Sequence, residues 1–221
     1  MNDRLDGILD SRAKVRILRH FTSRTEDYMA SGREVARRVG LSAPAAHSAL
    51  KELLDERIVE RQIIGRQHIY RLNHAHRTVR EILAPAFGKE RMLRDDMARY
   101  LVSALRERRL LSSVESLMLY GSIAHGATRD ESDCDVAVIV RDERSKGRIE
   151  RCFQDEICPR FLGYFGMHLD PYIKTSAEFA RRMKRCLPPV STLMRSYLVV
   201  HGRDPGGRGA NGCRQYCPVI R

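Results

Sequence analysis

Two aspartates, Asp133 and Asp135, stand at the end of a polar excursion between two apolar runs, Leu117–Tyr120 and Val136–Val140. Short apolar runs bounded by turn residues read as buried strands. Side chains alternate across a strand, so the two carboxylates share one face with Cα atoms roughly 6–7 Å apart. The first run ends at Gly121-Ser122. Gly121 permits a tight turn that a Cβ would obstruct, and Ser122 suits the N-cap of a short helix through His125. Free N–H groups and the positive dipole end at such a helix start favour a phosphate. Paired carboxylates beside a phosphate cradle make a divalent-metal site, since Mg²⁺ takes one or two carboxylates and completes its shell with phosphate oxygens and water.

A third carboxylate is expected downstream. Residues 167–173 alternate, with Met167, Leu169 and Ile173 on one face and His168, Asp170 and Tyr172 on the other. If this strand pairs beside the Val136 run, Asp170 turns toward the other two. Asp155 is the rival, but the periodicity of residues 149–162 places it on a helix.

The order of apolar strand, Gly-Ser, short spacer, Asp-x-Asp on a strand and a later strand carboxylate resembles the signature of the DNA polymerase β-like nucleotidyltransferases, particularly their minimal branch. Gly121, Ser122, Asp133 and Asp135 match it directly, and the resemblance spans residues 111–202. It implies Mg²⁺-dependent, two-metal transfer of a nucleotidyl group from ATP or another NTP to a hydroxyl. Asp133, Asp135 and Asp170 would be its catalytic residues and metal ligands, with Gly121, Ser122, His125 and Arg129 against the nucleotide. His125 stands where minimal members often carry Arg, which makes a phosphate contact there weaker and pH-dependent. Members of the family modify proteins, RNA ends or small molecules, so the acceptor stays open. Minimal members often serve as antitoxins beside a helical HEPN partner, which they sometimes modify. Little chain follows Gly202, and an acceptor-binding domain is expected from elsewhere.

The chain carries 40 Lys and Arg against 28 Asp and Glu, a net charge of +12, which points to polyanionic partners and chiefly nucleic acid. The excess lies mostly outside residues 113–202, where acids and bases nearly balance. No apolar N-terminal segment resembles a signal peptide, and no run approaches the ~20 residues of a membrane span. A cytoplasmic protein is therefore expected, its six cysteines reduced. Cys152/Cys158 and Cys213/Cys217 lack zinc-site spacing.

Residues 1–74 supply a partner for nucleic acid. Val15, Leu18 and Phe21 recur at helical spacing, a short helix follows over 33–39, and Gly40-Leu41-Ser42 turns into a helix from Ala43 to about Glu56. Strands over 58–64 and 67–72 meet at Gly65-Arg66. The pattern resembles a winged helix-turn-helix of small transcription regulators, usually dimeric. Ser42, Ala45, Ser48, Lys51 and Arg66 are its candidate DNA-binding residues: small side chains let the third helix approach a major groove, and Lys51 and the wing arginine reach phosphates or a minor groove. His47 and His68 read as surface histidines.

Residues 75–110 show two helical stripes, broken at Gly88 and bent at Pro85, and read as connecting helices. After Val140 a charged loop is expected over 141–146, then helices over 149–162, 176–185 (capped by Thr175) and 190–200. Residues 203–221, rich in Gly, Pro and Arg, read as a disordered tail. The expected fold class is α+β, a winged helix-turn-helix followed by a small mixed-sheet nucleotidyltransferase domain. The same features also fit a transcription regulator whose second domain senses nucleotide without turnover.

Overall fold

The computed structural model describes residues 4–121 and 133–206. The chain divides into two compact units, Met1–Leu93 and Arg94–Arg221.

The first unit opens with four helices: α1 (Arg4–Leu9), α2 (Arg12–Thr22), α3 (Gly32–Val39) and α4 (Ala43–Asp55). Serines start three of them. Ser11, Ser31 and Ser42 accept hydrogen bonds from the backbone N–H of Lys14, Glu34 and Ala45 at 3.3, 3.3 and 3.4 Å, satisfying donors that a helix start leaves free. Gly40, at φ 64°, closes α3 in the left-handed conformation and turns the chain directly into α4. Strands β1 (Ala30–Ser31), β2 (Val59–Ile64) and β3 (Gln67–Leu72) form an antiparallel sheet in the order β1-β3-β2. Ile17, Leu18, Phe21, Val35, Leu50 and Leu53 from the helices meet Ile58, Tyr70 and Leu72 in one core. This is a winged helix-turn-helix, with the β2–β3 hairpin as its wing. The short β1 has no hydrophobic pattern of its own and was not expected.

The stripe of α2 departs from the expected one. Val15 is only half-buried, and Ile17 and Lys14 take core-facing positions instead. Lys14 can do so because its apolar stem packs inward while its ammonium is fully engaged. It donates to the Gly7 carbonyl at 2.7 Å and meets Asp10 at 3.0 Å and Glu52 at 2.5 Å, tying α1, α2 and α4 together. Replacing Lys14 by methionine keeps the stem and strands these partners, so the first unit should lose about 1–3 kcal/mol, read from a chemical denaturation midpoint. The hydrogen bond from Lys14 holds the Glu52 carboxyl below the usual carboxylate range. A carboxylate with a depressed pKa stabilises above its unfolded pKa and loses that contribution as pH falls through the folded one. The wild-type advantage over Lys14→Met should therefore shrink under acid, and an advantage unchanged at low pH would contradict the assignment.

A π-helical turn, Val79–Leu83, leads into α5 (Ala84–Arg91), and Val79, Leu83 and Phe87 join the first core. The expected break at Gly88 falls instead at Met92. Pro85 sits in the first turn of α5, directly after the π turn, which takes up the irregularity that its missing N–H imposes. The expected connecting segment is thus divided: residues 79–91 pack in the first unit, and α6 (Leu93–Glu107) runs into the second.

In the second unit β4 (Val114–Tyr120), β5 (Cys134–Val140), β6 (Leu169–Thr175) and β7 (Tyr197–Gly202) form a mixed sheet in the order β6-β5-β4-β7. β4 runs antiparallel to both neighbours, and β5 and β6 are parallel. The parallel pair needs a long crossover, supplied by α7 (Glu143–Cys152), a π-helical turn Phe153–Ile157 and α8 (Cys158–Phe165). On one sheet face Met118, Tyr120, Ala137 and Ile139 pack against Phe179 of α9 (Ser176–Lys184) and Val190 and Leu193 of α10 (Val190–Leu193). Leu117, Leu119, Val136 and Val138 alternate to the other face and are fully buried there. Thr175 and Glu178 make the capping box expected at the start of α9.

Two expectations fail in this unit. The segment 141–146 is helical from Glu143, because the Asp142 carboxylate accepts from the Ser145 N–H at 2.7 Å and caps α7. The segment 190–200 is not one helix: α10 ends at Leu193 and residues 197–202 form β7 along the edge of β4. Tyr197, Val199 and Val200 favour a pleated surface, and an unpaired strand edge decides the matter for them. The chain remains tied to β4 beyond β7, with the Arg203 N–H donating to the Glu115 carbonyl at 2.8 Å. Residues 207–221 of the expected tail lie outside the described residues. No helix among the described residues is long and apolar enough to cross a membrane.

Candidate functional site

At one end of the second sheet β4 ends, while β5 and β6 begin. The register there puts Asp135 directly opposite Asp170 on the parallel neighbour and opposite Tyr120 on the antiparallel one. Neighbouring strands lie about 4.8 Å apart, so the two carboxylates leave the backbone side by side. Asp133 precedes β5 by one residue and is exposed, as is Asp170, while Asp135 is half-buried. The register thus brings Asp170, and not Asp155, beside Asp135. Asp155 lies exposed on the π-helical turn and lines a different cleft with Arg108 and Arg148.

Among the described residues the charges acting on this corner are negative. Burial, then the charges of Asp170 and Asp133, push the Asp135 carboxyl above the usual carboxylate range. Burial, reinforced by Asp135 and Asp170, raises the Tyr120 phenol above its ordinary value. The Cys134 thiol, buried between the strands, is pushed up to about 12 and stays protonated, which removes it as a nucleophile.

Gly121 follows Tyr120 with φ +73°. A Cβ added there would overlap the Asp135 Oδ2 and come within 3.2 Å of its Cγ. The backbone turn and the carboxylate thus approach one another as closely as a glycine allows. Ser122, His125 and Arg129, the other expected nucleotide contacts, lie outside the described residues.

The corner suits a hard divalent cation. Among the described residues its donors are carboxylate oxygens that repel one another, and the glycine lets the Asp135 carboxylate lie against the backbone turn. Among the described residues no three His, Cys, Asp or Glu side chains are gathered closely enough to hold a metal unaided. Mg²⁺ does not need such a cage, because phosphate oxygens and water complete its shell.

The first unit offers a second surface. Ser42 caps α4, and Ala45, Ser48 and Lys51 are exposed along it, while Ala46, Ala49, Leu50 and Leu53 face the core. Ser48 donates to the Glu52 carboxylate at 3.1 Å, and Lys14 holds the same carboxylate, so the acid on α4 is drawn toward the protein. Between the start of α4 and the wing lies a cleft of about 430 Å³ lined by Arg33, Ala43, His47, Arg66 and His68 among others. The structure therefore brings Arg66 to the front of α4 and adds Arg33, His47 and His68. The hairpin alone could not have shown that convergence, which depends on how β3 packs beside α3.

Comparison with known families assigns both units. Residues 15–62 match the IclR helix-turn-helix domain, and residues 104–158 match the polymerase beta nucleotidyltransferase family. The first match contains Ser42, Ala45, Ser48 and Lys51 and ends before Arg66; the second contains Asp133 and Asp135 and ends before Asp170. No curated protein matches the chain. Among solved structures, the AntR antimony-specific transcriptional repressor is 24% identical over 36% of this chain and 67% of its own, with a TM-score of 0.30. A toxin-antitoxin structure with AMP-PNP is 15% identical over 48% of this chain and 74% of its own, with a TM-score of 0.33. The chain is an α+β protein in which a winged helix-turn-helix domain is followed by a polymerase β-like nucleotidyltransferase domain.

Proposed function

We propose that the second domain transfers a nucleotidyl group from ATP or another NTP to a hydroxyl acceptor, and that the first domain binds DNA. The observation that carries the catalytic reading is the pairing of Asp135 with Asp170 beside Gly121. Asp133, Asp135 and Asp170 would hold Mg²⁺ in a two-metal arrangement, which supplies charge neutralisation on the triphosphate and a more nucleophilic acceptor oxygen. The residues of the chain do the rest. The Gly121 turn admits the phosphates close to the backbone, with Ser122, His125 and Arg129 as further nucleotide contacts. Asp170, exposed at the edge strand, receives the proton of the acceptor hydroxyl. That oxygen bonds the α-phosphorus, the bond to the bridging oxygen breaks, and pyrophosphate leaves. With α-labelled ATP and Mg²⁺, wild type should label its acceptor and Asp133→Ala should not; equal labelling by both would contradict the site.

In the first domain, α4 enters a major groove and the wing follows the adjacent backbone, with Arg66 and Lys51 on phosphates. Lys51→Ala and Arg66→Ala should each weaken DNA binding on every sequence tested and lower the salt slope by ~1. Binding titrations at several salt concentrations check this; a loss confined to one sequence would instead make the side chain a base reader. A homodimer on a two-fold DNA site, acting in the cytoplasm on its own promoter in the manner of an antitoxin, fits both domains, and a partner protein then becomes one candidate acceptor.

A further inference from the structure

Tyr100 of α6 and Tyr164 of α8 lie nearly parallel, with ring centroids 6.0 Å apart and planes inclined by 13°. Phe165 meets both edge-on, at 5.5 and 4.8 Å. The fully buried Phe161 braces the set from below, 5.8 Å from Tyr100 and 4.6 Å from Phe165. The inner ring of this stack is fixed on several sides. The outer ring is not: Tyr164 is 75% exposed, the most of any large apolar or aromatic residue described. An aromatic ring usually contributes by burying its faces, so a ring placed by Tyr100 and Phe165 yet left largely open is a surface prepared for another flat group.

The surroundings identify that group. Arg160 stands four residues before Tyr164, on the same face of α8, with its side chain 64% exposed. Its acidic neighbour among the described residues, Glu156, is already held by Arg108 at 2.7 and 3.0 Å and lies 4.0 Å from Arg160. A bare ring beside an exposed guanidinium suits a base with its phosphate better than an apolar peptide. The position is also telling. α8 ends at Phe165 and β6 starts at Leu169, so Asp170 follows Tyr164 by six residues, at most ~22 Å of chain.

We propose that the Tyr100–Tyr164 stack is a landing platform for an unpaired base of a single-stranded nucleic acid, with Arg160 on its phosphate, and that this strand is the acceptor. The acceptor role rests on the nucleotidyltransferase reading above. The strand's terminal hydroxyl loses its proton, its oxygen bonds the α-phosphorus of the NTP, and pyrophosphate departs. Stacking on a ring is tolerant of sequence, so the platform selects strandedness rather than a particular base.

The chain contains no tryptophan, so Tyr164→Trp places one fluorescent ring at the platform. The full chain with Lys51→Ala and Arg66→Ala weakens strand binding by the winged helix. In that background a short fluorescein-labelled oligonucleotide should bind roughly 5- to 100-fold more weakly to Tyr164→Ala, and within ~2-fold of the parent to Tyr164→Phe, because stacking needs the ring and not the hydroxyl. The tryptophan of Tyr164→Trp should be quenched saturably by single strands and not by duplex of the same length. Parent-like affinity in Tyr164→Ala, or equal quenching by duplex, overturns the platform. α-Label moved to a protein with no ring-dependent strand binding overturns it too, while sparing the nucleotidyltransferase reading. Ring-dependent binding with no label moved to any acceptor upholds the platform and overturns that reading instead.

Discussion

Replacing Asp135 by asparagine should reduce nucleotidyl transfer at least ~10³-fold and at the same time raise the unfolding midpoint of the metal-free protein. The two effects have one origin. Asp135 is half-buried, faces Asp170 across a strand pair, and has Asp133 two residues before it. Burial and two like charges make its charged form costly in the folded chain. A carboxyl whose folded pKa is raised binds its proton more readily folded than unfolded, so metal-free stability falls as pH rises through its titration. Asparagine keeps the shape and removes that cost. Mg²⁺ with a nucleotide should raise the wild-type midpoint, through binding to the folded state alone, and leave the variant's unchanged. Thermal unfolding with and without Mg²⁺ checks this apart from any activity. A variant that is less stable without metal would make Asp135 a structural residue. Asp155→Asn, on the opposite side of the assignment, should leave transfer intact.

Gly121→Ala should produce the next largest change, and of a different kind. The backbone at φ +73° disfavours any side chain, at a cost of about 1 kcal/mol. The new methyl would overlap the Asp135 carboxylate, not backbone, so the chain can still fold by swinging that side chain aside. The displaced carboxylate no longer stands over Asp170. A misplacement of about 1 Å costs on the order of 10²-fold in rate, so transfer should drop by that order while the fold persists. Circular dichroism with a transfer assay separates the two quantities. Near wild-type transfer in a folded Gly121→Ala protein would mean that the turn does not shape the site.

The readable parts of this chain were those whose signal is local. The Ser42 cap, the Gly40 turn and the Gly65-Arg66 hairpin each follow from a few neighbouring residues, and the winged helix-turn-helix emerged from them. The alternation of residues 167–173 put Asp170 on the face of a strand, and its pairing with Asp135 then followed from one correct neighbour relation. What stayed hidden depends on groups distant in the chain. Residues 197–202 become a strand because β4 has an edge to offer. Lys14 looks like a surface residue until Gly7, Asp10 and Glu52 converge on its ammonium. The cleft of Arg33, His47, Arg66 and His68 is assembled from three separate elements. Tyr100 and Tyr164 belong to different helices, and nothing in either helix announces the stack.

The measurement that tests the central claim most directly is a paired labelling experiment with wild-type protein, Mg²⁺ and cell lysate. One reaction carries ATP labelled at the α-phosphate and the other ATP labelled at the γ-phosphate. Attack at the α-phosphorus predicts that α-label moves to an acceptor while γ-label is released as pyrophosphate, and that Asp135→Asn does neither. Transfer of γ-label to the acceptor, or α-label transfer undiminished in Asp135→Asn, would contradict the assignment of nucleotidyl transfer to the Asp135–Asp170 corner.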